Sequence, residues 1–316
     1  MSTSKNGKIC TGLRFKATLI AGISWFAQFK DEVNRINVFP VPDADTGDNI
    51  HNTFGMMQSE LRKSDWRRVS SVAQAASQGA LMGARGCSGT IMAGFFNGFS
   101  QGVSKKDTLT ASEIADSLML AAEFAFRTVT KPKEGTILTV ARDAARAAQE
   151  AAKDDNANLL EVLEFLLREA KKSLLMTTQT LEVLRQANVV DAGAQGLVYF
   201  FEGMARYNAG QELKVLSPGL AKENPKLQLV QVPIKLRYCA DFILKTRDLT
   251  ADSAREILSG LGEEIIINDL NSPDSDYHII KVHLHTHVPE MVFDALGQYG
   301  RMMNIKVDDM NQALQK

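Results

Sequence analysis

Apolar residues are spaced in two different ways along this chain. From residue 13 to about 210 they recur at three- and four-residue steps, the period of helices that bury one face. After residue 229 they alternate singly with polar residues, the period of half-buried strands. We therefore predict two domains in the 316 residues: a helical domain at 1–210 and a smaller α+β domain at 229–316, joined by a linker at 211–228.

The helical half carries several apolar stripes, many of them rich in alanine, which lets helices pack closely. We predict an all-α barrel or bundle of about eight helices. The first stripe also matches the apolar core of a signal peptide over Ala17–Ala27, because basic residues precede it. Its period continues past three charged residues to Ile36, however, which favours one amphipathic helix. The stripes begin at Leu19, Val69, Ile114, Ile137, Leu159 and Leu197.

The second half opens with the clearest strand of the sequence. Apolar and polar residues alternate strictly from Val230 to Lys245, and Pro233 places the early part of this strand at an edge. The predicted elements that follow are a helix at 250–261, strands at 263–268 and 277–287, a helix at 290–299 and a strand at 303–308. The order β-α-β-β-α-β is that of a split-βαβ, ferredoxin-like domain.

Charge and cysteine content exclude several classes of protein. Lysine and arginine number 36 against 37 acidic residues, which gives no global reason to expect nucleic acid as a partner. Three cysteines far apart in sequence form no disulfide framework and suit a reducing cytosol, so we expect a cytoplasmic protein. No apolar run in the sequence approaches the length of a transmembrane segment.

A pair of aspartates follows the first predicted helix. Two prolines end that helix, and Asp43 and Asp45 then lie one residue apart on a loop before Gly47. Paired carboxylates on a loop favour a hard cation such as Mg²⁺. The alternative is a solvated turn with an aspartate N-cap, and the spacing alone leaves both interpretations open.

Three further segments place glycines where helices can start: Gly83–Gly89, Lys131–Thr136 and Asp191–Gly196. Glycines allow the backbone to approach a ligand, and helix N-termini bind phosphate. Each segment can equally be a simple turn between helices. Several such loops in one helical domain predict a shared ligand at one end of the bundle.

The α+β domain contains a row of histidines, His283, His285 and His287, on one face of a predicted strand. Cys239 lies on the polar face of the preceding long strand. Imidazole and thiolate are good ligands for Zn²⁺, although the row can also be exposed strand histidines beside an unrelated cysteine.

Taken together, the motifs Asn37–Asn49, Gly83–Gly89, Lys131–Thr136 and Asp191–Gly196 resemble the nucleotide-binding domain of the dihydroxyacetone kinase L-subunit superfamily. The chain is more similar still to the catalytic subunit of bacterial fatty acid kinase, over nearly its whole length. The resemblance implies an eight-helix barrel that binds ATP through Mg²⁺ held by aspartates.

The resemblance also implies roles for individual residues. Asp43 and Asp45 are the implied Mg²⁺ ligands, with Asn37 as a candidate third. Cys239, His283 and His285 are the implied Zn²⁺ ligands, leaving a fourth position for water or substrate unless His287 fills it. The residues implied around the nucleotide are Thr46, Asn49, Ser88, Gly89, Thr136, Asp191 and Gly193.

Three residues depart from the family pattern. Ala44 replaces a usual glycine, Cys87 replaces a usual asparagine, and Asp48 adds a negative charge beside a site for phosphates. If position 44 needs a positive φ, its methyl group costs about 1 kcal/mol or more. Close family members also usually carry a further C-terminal domain beyond the region that this sequence covers.

The implied activity is ATP-dependent phosphorylation of a fatty acid carboxylate to give an acyl phosphate. The acyl chain is expected on a separate fatty-acid-binding partner protein, and the enzyme is expected to be a homodimer. Two alternatives stay open: a nucleotide-binding protein whose turnover is weakened by Ala44, Asp48 and Cys87, and a dihydroxyacetone-type small-molecule kinase.

Overall fold

The structure is a computed structural model that describes residues 8–214, 235–271 and 276–313. The first range is helical and packs around one apolar core. Its helices are α1 (Gly12–Phe26), α2 (Lys30–Arg35), α3 (Thr46–Lys63), α4 (Val69–Gly83), α5 (Gly86–Gly102), α6 (Ala111–Thr128), α7 (Ile137–Ala151), α8 (Leu159–Thr180), α9 (Glu182–Ala187) and α10 (Ala192–Asn208). None of the described helices is long and apolar enough to cross a membrane.

The predicted first helix is divided in two. A 3₁₀ turn at Ala27–Phe29 separates α1 from α2, and the apolar stripe continues across it, with Phe26 and Val33 fully buried. A short antiparallel pair, β1 (Cys10–Thr11) with β2 (Thr108–Leu109), ties the start of α1 to the start of α6. The first apolar stripe is therefore part of the core of this domain.

Side-chain caps determine where several helices begin. Thr110 with Glu113 and Asn158 with Glu161 form capping boxes at the starts of α6 and α8. The helices α7 and α10 begin after Thr136 and Asp191, whose side chains accept hydrogen bonds from the first turn. Capping residues thus fix the helix starts that carry the predicted nucleotide motifs.

The second domain is a four-stranded antiparallel sheet with helices. Its elements are β3 (Tyr238–Thr246), α11 (Ala251–Leu258), β4 (Glu263–Asn271), β5 (His278–Thr286), α12 (Pro289–Gly297), β6 (Gly300–Asp309) and α13 (Met310–Ala313). The strand order β4-β5-β3-β6 is that of a split-βαβ sheet, as predicted. The first part of the predicted long strand, 230–234, and most of the predicted linker lie outside the described residues.

Both faces of this sheet are covered. One face packs on α11 and α12 through an apolar cluster that includes Phe242 and Val282. The other face packs on α5 and carries Asp241, Lys281 and His283, which are 3%, 1% and 1% exposed. The expectation of half-buried strands with a solvated polar face is therefore wrong, because the helical domain covers that face.

Candidate active site

The loop between α2 and α3 carries the predicted aspartate pair, and Asn37 anchors it. The side-chain N–H of Asn37 donates to the carbonyl oxygen of Val41 (2.8 Å). Its side-chain oxygen accepts hydrogen bonds from the backbone N–H and the hydroxyl of Thr46 (3.0 and 2.6 Å). These bonds use both lone pairs of that oxygen. In this structure Asn37 therefore holds the loop in place rather than offering a metal ligand.

Asp43 and Asp45 are partly buried, and their side chains lie within hydrogen-bond distance of each other. Burial and the neighbouring charge of Asp45 raise the pKa of Asp43. Burial also raises the pKa of Asp45, although Asn49 and Lys306 partly offset this shift. Two carboxyl groups this close repel each other when ionised unless a cation lies between them. The pair therefore fits a divalent cation with oxygen ligands.

These raised pKa values predict that Mg²⁺ binding depends on pH. An ordinary aspartate is fully ionised above about pH 6, whereas the raised pKa of Asp43 keeps a proton on the pair above that pH. Mg²⁺ must displace this proton, so its affinity is expected to keep rising as the pH increases beyond about 6. Calorimetry with Mg²⁺ alone, in buffers of different ionisation enthalpy, measures the proton release. Asp43→Asn should abolish it, and a pH-independent affinity in the unmodified protein would contradict the prediction.

Ala44 stands between the two aspartates with φ +55°, in the left-handed region. A methyl group is unfavourable there, so Ala44→Gly is expected to raise the free energy of unfolding by about 1 kcal/mol. Denaturant unfolding measures this change. Lys105→Gly is the matched control, because Lys105 has φ +63° in a turn that does not line the site, and it should stabilise the fold without changing Mg²⁺ affinity. A loss of stability in Ala44→Gly would show that the methyl group makes favourable contacts.

Asp48 does not add charge to the site, contrary to expectation. Its carboxylate pairs with Nζ of Lys30 (2.7 Å) and accepts a hydrogen bond from the side chain of Asn34 (2.8 Å). These partners lower the pKa of Asp48 and neutralise its charge on the outer side of α3. The side chain is half exposed and is absent from the walls of the cavity described below.

The start of α5 contacts both α3 and the sheet. Gly86 has φ +58°, and a Cβ there would lie 2.4 Å from the side-chain nitrogen of Asn49, so only glycine fits. Its N–H donates to Oδ2 of Asp241 (3.3 Å). The Gly-rich segment is thus a turn between helices that also brings Cys87 and Ser88 to the interface of the two domains.

Asp191 joins the starts of α7 and α10. Its Oδ1 accepts hydrogen bonds from the backbone N–H groups of Ile137 (3.1 Å) and Ala194 (2.8 Å). Burial raises the pKa of Asp191 to about 6 although these donors oppose the shift. A Cβ on Gly193 would lie 2.9 Å from Oγ of Ser88, so α10 begins directly against α5. The structure therefore brings the predicted helix starts together at one end of the helical domain.

The buried face of the sheet is centred on Asp241, which sequence reasoning missed. Its carboxylate lies 3.0 Å from Nζ of Lys281 and 3.4 Å from Nδ1 of His283. Burial disfavours the ionised form, but His283 and Lys281 outweigh it and lower the pKa of Asp241. Asp241 and Lys281 occupy polar positions of alternating strands, so the alternation itself was the signal that could have indicated them.

The two histidines of β5 differ in charge. Burial opposes protonation of His283, but the neighbouring Cys87, Cys239 and Asp241 raise its pKa. Burial and the charge of His283 lower the pKa of His285 to about 3, so its imidazole is neutral near pH 7. His287 lies beyond the end of β5 and is exposed, away from the other two.

Residues of both domains enclose one cavity, which we call the aspartate cavity. It brings together the two aspartates, the starts of α3 and α5, and the cysteine and histidines of the sheet. Its lining residues are Asn37, Pro40, Val41, Asp43, Asp45, Thr46, Asn49, Gly86, Cys87, Ser88, Cys239, His283 and His285. The predicted magnesium and zinc residues therefore belong to a single site at the domain interface.

Two further cavities adjoin it. The apolar cleft lies beside Ser88, Thr136 and Asp191 and is walled mainly by Phe39, Ile91, Val129, Leu138 and Ile266. The outer groove encloses roughly 800 Å³ and is lined by Phe39, Pro40, Val41, Pro42, Lys133, Val183, Lys235, Leu236, Glu263, Glu264, His285 and Met310. Pro40 contributes to all three cavities, and His285 is shared by the outer groove and the aspartate cavity. Of the predicted nucleotide residues, Gly89 and Gly193 line none of the three.

Potential metal ligands of the sheet form two compact groups among the described residues. The ligand atoms of Cys87, His283 and His285 all lie within 4.8 Å of one another, and so do those of Cys239, Asp241 and His283. The predicted set of Cys239, His283 and His285 is thus spread over two groups that share His283.

Comparison with known proteins agrees with this architecture. Residues 40–206 match the DAK2 domain, and residues 235–316 match the FakA-like middle domain of fatty acid kinases. The chain belongs to the DAK2 domain family, a kinase family, and carries a FakA-like middle domain.

Similar proteins occur in staphylococci. An uncharacterised protein of Staphylococcus saprophyticus is 33% identical over 312 residues, covering 95% of this chain and 55% of the relative. One of Staphylococcus haemolyticus is 32% identical over 323 residues, covering 99% of this chain and 56% of the relative. The chain thus spans little more than half the length of these relatives.

Solved structures of the dihydroxyacetone kinase of C. freundii also match. The complex with AMP-PNP and Mg²⁺ has a TM-score of 0.47 at 14% identity, over 61% of this chain and 33% of that enzyme. The native form gives 0.48 at 15% identity, over 61% and 34%.

Proposed function

We propose that this chain is an ATP-dependent kinase that transfers the γ-phosphoryl group to a fatty acid carboxylate. The observation that carries the proposal is the position of His285, in the wall between the aspartate cavity and the outer groove. A phosphate donor on one side and an acyl acceptor on the other meet at this residue. The family supports the kinase class, and the largely apolar groove supports the acyl acceptor.

The nucleotide occupies the apolar cleft and the aspartate cavity. Thr136 and Asp191 lie beside the cleft, which suits an apolar base. Thr46, Asn49 and Ser88 line the aspartate cavity at the starts of α3 and α5, where free backbone N–H groups favour phosphate. Gly89 and Gly193 allow the close helix contacts behind this surface. Asp43 and Asp45 hold Mg²⁺, which neutralises phosphate charge in the transfer.

The acceptor reaches the phosphate through the outer groove. A fatty acid carboxylate is already ionised at neutral pH, so the step needs no general base. Its oxygen forms a bond to the γ-phosphorus, the bond from that phosphorus to the β–γ bridging oxygen breaks, and ADP leaves with those electrons. His285 and the raised pKa of His283 offer polar and cationic groups where the anions meet.

We further propose that Cys239, His283 and His285 bind Zn²⁺. All three line the aspartate cavity, and a thiolate with two imidazoles is a typical donor set for this ion. When bound, the ion supplies a Lewis acid that can orient a carboxylate. Following the family resemblance, we also propose a cytoplasmic homodimer that receives its acyl chain from a fatty-acid-binding partner protein.

The test uses three acceptors with ATP and Mg²⁺: a fatty acid on a carrier protein, the free fatty acid, and dihydroxyacetone. Hydroxylamine traps an acyl phosphate as a hydroxamate, and we expect this product with the carrier-loaded acid. Phosphorylation of dihydroxyacetone instead would support the small-molecule kinase. Thermal stabilisation by Mg²⁺-ATP without turnover of any acceptor would support the weakened enzyme, for which the strained Ala44 is the specific structural observation.

A further inference from the structure

The imidazole of His283 lies between two cysteines that belong to different domains. Sγ of Cys87, at the start of α5, is 3.1 Å from Nε2 of the ring. Sγ of Cys239, on β3, is 3.7 Å from Nδ1. Cys87 departs from the family pattern, and the proposed kinase reaction gives its thiol no task. The contact brings a thiol of the helical domain onto the ligand-bearing face of the sheet.

The group formed by Cys87, His283 and His285 has dimensions suited to zinc. Zinc bonds of about 2.3 Å to sulfur and 2.0 Å to nitrogen hold neighbouring ligand atoms about 3.5 Å apart. The three ligand atoms here lie within 4.8 Å of one another, so small side-chain adjustments close them around an ion. His283 and His285 are 1% and 8% exposed, so water competes little for their ring nitrogens.

The other side of the His283 ring favours an ion on the Cys87 side. Nδ1 faces Oδ2 of Asp241 at 3.4 Å. A carboxylate behind a histidine keeps the proton on that nitrogen and directs the lone pair of the opposite nitrogen toward the metal. The opposite nitrogen is Nε2, which is the one beside Cys87.

We propose that the thiolate of Cys87 is a ligand of the zinc ion, together with His283 and His285, and that the ion thereby joins the start of α5 to the sheet. This inference rests on the zinc site of the proposed function but not on kinase activity. Because Cys87 lies between Gly86 and Ser88, the ion stabilises the docking of the sheet on the loop that faces the nucleotide phosphates.

Cobalt substitution of the purified full chain tests this role. Co²⁺ in a thiolate-containing site shows a charge-transfer absorption whose intensity depends on the number of bound sulfurs. Cys87→Ser is expected to remove at least half of this absorption. Loss of a residue behind a ligand lowers metal affinity about 10- to 100-fold, so loss of the Cys87 ligand should lower zinc affinity at least tenfold.

Matched variants separate this inference from the proposed function. Cys10→Ser is the control, because Cys10 is buried in the helical core and should leave the cobalt spectrum unchanged. Cys239→Ser tests the zinc set of the proposed function independently of Cys87. Cys87→Asn introduces the residue usual in the family, and it should lose the absorption like Cys87→Ser while keeping the helical circular dichroism. Full cobalt absorption and unchanged zinc affinity in both Cys87 variants would overturn the inference.

Discussion

Replacing Asp43 and Asp45 with asparagine is expected to lower the Mg²⁺-dependent activity by at least about 100-fold. A bound cation contributes several kcal/mol of charge stabilisation to phosphoryl transfer, and about 2.7 kcal/mol corresponds to 100-fold. Asparagine keeps the shape of each side chain but removes the charge that attracts the cation. Steady-state kinetics and Mg²⁺-dependent ATP binding measure the loss.

The same experiment has a matched control on the same helix. Asp48→Asn removes a carboxylate that lies three residues further on and pairs with Lys30 on the outer side of α3. Because Asp48 does not line the cavity, this variant should keep both activity and Mg²⁺ affinity. Equal effects of the Asp48 variant and the Asp43–Asp45 double variant would show that general charge, rather than a specific metal site, controls activity.

The second large effect is expected at Asp241. Asp241→Asn leaves the buried ammonium group of Lys281 without its carboxylate, and breaking a buried ion pair on one side typically costs about 3–5 kcal/mol. The free energy of unfolding should fall by about that amount in denaturant titrations. The variant should also loosen the contact between the domains, because Asp241 accepts the N–H of Gly86.

A double variant distinguishes this cause from a general loss of packing. In Asp241→Asn with Lys281→Met no buried charge is left unpaired, so most of the lost stability should return. Asp309→Asn is a surface control, since the ion pair of Asp309 with Arg237 is solvated and its loss should matter far less. If the double variant is as unstable as Asp241→Asn alone, the ion pair is not the source of the effect.

Local patterns in the sequence were sufficient for the architecture of each domain. The helical stripes correspond to buried faces because burial selects apolar residues at every third or fourth position. The alternation and the turn positions gave the split-βαβ strand order. The division of the first helix at Ala27–Phe29 was not visible, since the apolar period continues through that turn.

The docking of the two domains could not be predicted from these patterns. Polar residues on one face of a strand normally indicate solvent, and here Asp241 satisfies Lys281 and His283 so that the face can be buried. The contact of Cys87 with His283 joins residues 196 positions apart in sequence. The positive φ of Ala44, in contrast, was anticipated as a condition because the family usually has glycine there.

The strand β4 forms one edge of the sheet, and the helical domain covers it. Just after α6, the N–H of Thr130 donates to the carbonyl oxygen of Ile265 (3.1 Å), and Val129 bridges to Ile266. The opposite edge, β6, instead exposes polar side chains such as Lys306 and is irregular at Asn304, features that hinder strand addition. Away from the helices, β4 would offer unpaired backbone groups to any other chain. The contact that completes the site thus also protects the sheet from aggregation.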